Sequence, residues 1–150
     1  MIEENAIWPV RTFVYAWFAE HALPPSQEEI ARHFNLTEAE AGEALTLLHE
    51  KHALFLEPGT VNVRLANPFS AIPTPYVVET RNRRYWANCA WDSFGIVAAL
   101  QESDASIHSL CTYSGDPLDL SVTNGQVHHT TAVVHFLVPF RHWYDDLVFT

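Results

Sequence analysis

The chain has only two cysteines, one methionine, five glycines and eight basic residues among its 150. Each shortage excludes something. Two cysteines, Cys89 and Cys111, cannot build the disulfide framework of a small secreted domain, so a reduced, cytoplasmic protein is expected. Eight Lys and Arg against 18 Asp and Glu leave a formal charge of −10. Such a surface repels nucleic acid and anionic membranes. Nine histidines offset this charge only below about pH 6.5. No apolar run reaches the roughly 18 residues of a membrane span. Met1-Ile2-Glu3-Glu4 lacks the basic start of a signal peptide. Glycine-rich phosphate loops, nucleophile elbows and internal repeats are missing too.

What is present suffices for a core. Hydrophobic residues make up 48%, with nine Phe, five Trp and five Tyr. The length suits one ordinary domain or two small ones. Residues 1–66 carry 4 basic and 10 acidic side chains, and residues 67–150 carry 4 and 8.

Residues 8–22 read as a helix, because Val10, Phe13, Val14, Trp17 and Phe18 form one apolar stripe. Pro24-Pro25 ends it. Ser26 with Glu29 and Thr37 with Glu40 are capping-box pairs opening two further helices. Leu54-Phe55-Leu56 and Val61 to Leu65 read as strands about a Glu57-Pro58-Gly59 turn. Three helices and a hairpin predict a winged-helix-like domain over residues 1–66. Its third helix holds Glu38, Glu40, Glu43 and Glu50 against Lys51, which argues against a duplex-reading role.

Pro68, Pro73 and Pro75 predict an extended linker over 67–75. Beyond it, 76–80 and 85–88 read as paired strands, 89–100 as a helix, and 106–111 and 118–122 as strands. Asn124-Gly125 predicts a hairpin turn into a long strand from Val127 to Val138, and a short helix is expected over 141–148. The fold class expected is α+β: the three-helix domain, then a mostly antiparallel sheet packed with one or two helices.

The histidines offer no zinc signature. His49 and His52 share a solvated helix face. His128 and His129 alternate across a strand, and His129 and His135 would lie about 20 Å apart along it.

The chemistry concentrates in Arg83-Arg84-Tyr85-Trp86-Ala87-Asn88-Cys89-Ala90-Trp91-Asp92. A thiol here stands at the mouth of an apolar helix, with a carboxylate one turn on. The helix N-terminus favours thiolate, so Cys89 is expected to have a lowered pKa and to label faster than Cys111. The plain alternative is a helix-opening Asp beside a small buried hydrophobe.

Arg83-Arg84-Tyr85, Cys89-Ala90-Trp91-Asp92, Cys111 and Ser114-Gly115-Asp116-Pro117 resemble, in order and spacing, the core of the organomercurial (alkylmercury) lyase family. The resemblance is good from about Tyr76 to Thr123 and assigns residues 76–150 to a lyase-like core. It implies cleavage of carbon–mercury bonds, with Cys89 as the thiol that binds the substrate's mercury and Asp92 as the proton relay. Mercury arrives as substrate, so no cofactor is implied. The partners implied are a small organomercurial, then low-molecular-weight thiols or a mercuric reductase as product acceptor, with neither nucleic acid nor membrane. The family also uses a second active-site cysteine, whose place would fall at or just after Thr150. This chain has none there, so it reads as either a fragment or a relative lacking that thiol, and turnover would call on an external thiol. The family's cysteine at the place of Cys111 implies a buried core thiol. Two other functions stay open: a non-catalytic mercury- or thiol-reactive binding or sensor protein, and a winged-helix transcriptional regulator.

Overall fold

In the computed structural model, residues 4–128 and 130–145 are described. Helix α1 (Ile7–His21) buries Ile7, Val10, Val14 and Phe18, which recur every three or four residues and so face one side. The chain leaves α1 through Ala22 in the left-handed region at φ 59°, with the Ala22 N–H bonded to the Phe18 carbonyl. Helices α2 (Gln27–Phe34) and α3 (Glu38–Glu50) open on the two expected capping boxes. Ser26 Oγ accepts the Glu29 N–H at 3.2 Å, and Thr37 Oγ1 accepts the Glu40 N–H at 3.2 Å. Three short antiparallel strands follow in the order β1 (Phe55–Leu56), β2 (Val63–Ala66) and β3 (Phe69–Ser70). The stretch expected as an extended linker thus contributes β3, and Phe69 stacks on Phe18 with ring centroids 5.4 Å apart.

Contacts divide the chain into two units, Met1–Ile72 and Pro73–Thr150. The second is an antiparallel sheet in the order β5-β4-β6-β7-β8. Its strands are β4 (Val77–Glu79), β5 (Arg84–Ala87), β6 (Ala105–Leu110), β7 (Pro117–Thr123) and β8 (Gln126–Val127). Val78 lies opposite both Tyr85 and Ile107, and all three are buried. Helix α4 (Ala90–Ala99) adds Ser93, Ile96 and Val97 to this core. The chain is therefore an α+β protein of helices and antiparallel strands, as expected.

Two expectations fail at the C-terminal end. The strand predicted from Val127 to Val138 stops after β8. Residues 130–138 have no regular structure, and 129 lies outside the described residues. Thr-Thr-Ala-Val-Val groups its polar and apolar residues instead of alternating them, so it lacks the pattern that holds a strand on one sheet face. Val133 and Val134 instead wall a cleft beside α4. The helix predicted over 141–148 is only a 3₁₀ turn at Phe140–His142, and 146–150 lie outside the described residues. The His129 and His135 spacing loses its basis: His135 is not on a strand and His129 is not described.

Candidate active site

Strand topology brings the two cysteines to one end of the second sheet. β5 and β6 are both antiparallel to β4, so they run the same way. Cys89 follows β5 and Cys111 follows β6. The ends of β4 and β5 are tied by a hydrogen bond from the Ala87 N–H to the Tyr76 carbonyl at 2.9 Å. The Thr74 hydroxyl adds a bond to the Ala87 carbonyl at 2.6 Å. This fixes where the chain turns into α4.

Cys89 is the N-cap of α4, in extended backbone at φ −146° and ψ 178°. Its sulfur accepts the Asp92 N–H at 3.5 Å, and its S–H donates to Asp92 Oδ2 at 3.3 Å. The Cys89 carbonyl takes the Ser93 N–H at 3.2 Å. Thiol and carboxyl, the two residues singled out from the sequence, are thus in direct contact.

The electrostatics reverse one expectation. The Cys89 thiol is not depressed by the helix start; its pKa is pushed up to about 11. Burial is the main cause, and the Asp92 charge adds to it. Backbone N–H groups of Asp92 and Trp91 pull the other way and are outweighed. Burial likewise raises the Asp92 carboxyl, against hydrogen bonds from the Cys89 thiol and the Asn88 side chain. Tyr76 is raised by burial and then by Cys89.

Cys111 also departs from expectation. It is a free, half-exposed thiol rather than a core one. It opens a tight turn in which the Cys111 N–H bonds to the Asp116 carbonyl at 2.8 Å and the Gly115 N–H to the Cys111 carbonyl at 2.7 Å. Its pKa is lowered. The Ser114 side chain is the largest cause, followed by the backbone N–H groups of Ser114 and Tyr113, and the Ser114 hydroxyl donates to Asp116 Oδ2 at 2.6 Å.

A cleft of about 250 Å³ opens beside α4, and Tyr76, Cys89, Trp91, Cys111, Val133 and His135 are among its walls. Next to it lies a smaller, largely apolar cavity of about 80 Å³ between Phe94, Ile107, Leu118, Leu120 and Val134. Asn88, Tyr76 and His135 did not stand out in the sequence. Asn88 had a signal, since it immediately precedes the thiol. Tyr76 and His135 had none, because only the tertiary fold brings them near Cys89. Among the described residues, no three His, Cys, Asp or Glu side chains form a group that could hold a metal ion. No described helix is long and apolar enough to cross a membrane.

No curated protein matches the chain. Among solved structures, the mercury-bound form of MerB2 is similar in fold, with a TM-score of 0.67 and 21% identity. The match covers 87% of this chain and 61% of that one, so the chain spans about three fifths of that structure's length. The alkylmercury lyase family matches residues 69–149. The matched stretch is more than half of the chain and contains every wall of the Cys89 cleft. By that match, the chain belongs to the alkylmercury lyase family.

Proposed function

We propose that the chain cleaves the carbon–mercury bond of organomercurials by protonolysis, with Cys89 and Asp92 as the catalytic pair. The observation that carries this reading is the 3.3 Å hydrogen bond from the Cys89 thiol to the Asp92 carboxylate. Mercury is soft, and thiolate is its preferred ligand. A thiol whose pKa is near 11 keeps its proton until a metal displaces it, and metal binding releases that proton outright.

The hydrogen bond gives the proton its destination. As R–Hg⁺ bonds to the Cys89 sulfur, the thiol proton passes to Asp92. The now neutral Asp92 delivers it to the carbon bound to mercury. The carbon–mercury electron pair takes up the proton, R–H leaves, and Hg(II) remains on sulfur with no change of oxidation state. A carboxyl raised by burial suits such a general acid. The neighbouring apolar cavity suits the hydrocarbon group. A low-molecular-weight thiol would then remove the Hg(II). Nucleic acid has no part in this reading: α3 exposes Glu38 and Glu50, and we expect no duplex binding that survives physiological salt.

The test is hydrocarbon release from an organomercurial in excess low-molecular-weight thiol, beside mercury binding measured separately. Release by the wild-type chain, lost in Asp92→Asn with binding kept, supports the reading. Binding without release by the wild-type chain overturns it in favour of a binding protein.

A further inference from the structure

We propose that Cys111 is a second sulfur ligand, so that Hg(II) is held in the cleft between Cys89 and Cys111. This rests on the proposed function for the arrival of mercury at Cys89, but the pairing of the two thiols stands on the fold alone. Both side chains line one cleft. They reach it from the same end of the sheet because β5 and β6 flank β4 and run in the same direction. Neither is in a disulfide.

The two thiols have complementary surroundings. Cys89 is half-buried, and its proton is directed at Asp92. Cys111 is also half-buried, at the start of the turn that its N–H closes on the Asp116 carbonyl at 2.8 Å. The first passes its proton to Asp92, while the second offers a further sulfur in the same cleft. After R–H has left, Cys89-S–Hg⁺ accepts a lone pair from the Cys111 sulfur, and any Cys111 proton goes to solvent. The product is Cys89-S–Hg–S-Cys111. Mercury stays Hg(II) and nothing is oxidised. Two soft sulfurs suffice for such an ion.

The experiment uses the full chain with two probes, mercuric chloride and phenylarsine oxide, a trivalent arsenical that bridges two thiols with loss of water. Hg(II) affinity is measured against a competing monothiol for the wild type, Cys89→Ser, Cys111→Ser and Cys111→Ala, with circular dichroism to establish folding. The expected result is a loss of at least about tenfold in Hg(II) affinity in every variant. One arsenical should also block both thiols of the wild type in a 1:1 adduct, a readout that needs no variant to fold. Wild-type affinity in folded Cys111→Ser, or an arsenical that leaves one thiol titratable, overturns the proposal. These outcomes are separate from failure of the lyase reading, in which the two-thiol adduct forms but no hydrocarbon is released.

Discussion

Three of the helices open on the same four-residue frame, and one of them does something different with it. At α2 and α3 the N-cap is Ser26 or Thr37, and the third helical residue is Glu29 or Glu40. At α4 the same positions hold Cys89 and Asp92. In the first two helices the glutamate reaches back to the N-cap N–H, at 2.6 Å for Ser26 and 2.9 Å for Thr37. That bond is the leading cause of the lowered pKa of Glu29 and of Glu40. In α4 the shorter aspartate takes its hydrogen bond from the thiol instead. Burial, outweighed by that bond for the two glutamates, then drives both Asp92 and Cys89 upward. One local frame gives a helix cap where water reaches it freely and a proton-holding pair where it is half-buried.

The sharpest test removes the chemistry and leaves the cap. Asp92→Asn should lower hydrocarbon release by roughly 10²–10⁴-fold, the range for loss of a positioned general acid. Cys89→Ser should abolish release and weaken mercury binding at least about tenfold while keeping the fold, because serine is a preferred N-cap. Undiminished release from Cys89→Ser would place the chemistry elsewhere and reduce α4 to a third ordinary cap.

The next effect is in thiol reactivity. With its pKa near 11, only ~10⁻³ of Cys89 is thiolate at pH 8, so alkylation should be slow there and climb as pH rises toward 11. Cys111, lowered from the ordinary value, should label first. The Asp92 charge is among the causes that raise Cys89, so Asp92→Asn should move the Cys89 profile to lower pH. The same shift has a stability sign. The protonated thiol's contribution is complete below about pH 9 and is lost as pH rises through about 11. Mass spectrometry of alkylated peptides across pH reads the order of labelling. Equal rates at every pH would mean that burial does not separate the two thiols.

Much of this was legible in the sequence, and the rest fails for identifiable reasons. Ser26, Glu29, Thr37 and Glu40 announced their helices because a capping box is a contact within one turn. The α4 start and the Asn124-Gly125 hairpin were legible for the same reason; Asn124 and Gly125 both have the positive φ such a turn needs. Cys89 and Asp92 could be paired because helical spacing fixes their proximity. The direction of the Cys89 shift could not be read, because a helix start and a buried setting act oppositely and only the fold shows which dominates. The core thiol that the resemblance implies at Cys111 is not found, because the turn that follows β6 leaves it half-exposed. The strand expected beyond Val127 failed where apolar residues run on without alternation, a pattern that strand and irregular cover share.

A smaller effect lies in the caps themselves. Ser26→Ala removes the acceptor for the Glu29 N–H and should cost about 1 kcal/mol. Cys89→Ser should cost less, since it keeps an acceptor at the N-cap. Denaturant melts of the two variants compare the caps directly. A larger loss for Cys89→Ser than for Ser26→Ala would mean that the thiol stabilises α4 through packing that a hydroxyl cannot replace.

The smallest effect expected concerns a carboxylate with a close partner but no burial. Arg32 Nη2 lies 2.6 Å from Glu28 Oε1 one turn earlier in α2, a shorter contact than the one between Cys89 and Asp92. Distance alone would rank it the stronger. Yet the two side chains are 69% and 68% exposed, so water and salt screen the pair, and ordering two long side chains offsets much of the attraction. Glu28→Gln should therefore cost only about 0.3–0.5 kcal/mol, and the difference from wild type should vanish in high salt. Chemical denaturation with urea at low and high ionic strength measures both. A salt-insensitive loss above about 1 kcal/mol would show that contact distance, rather than exclusion of water, sets how strongly a carboxylate acts in this chain. The contrast drawn between α4 and the other capped helices would then lose its physical basis.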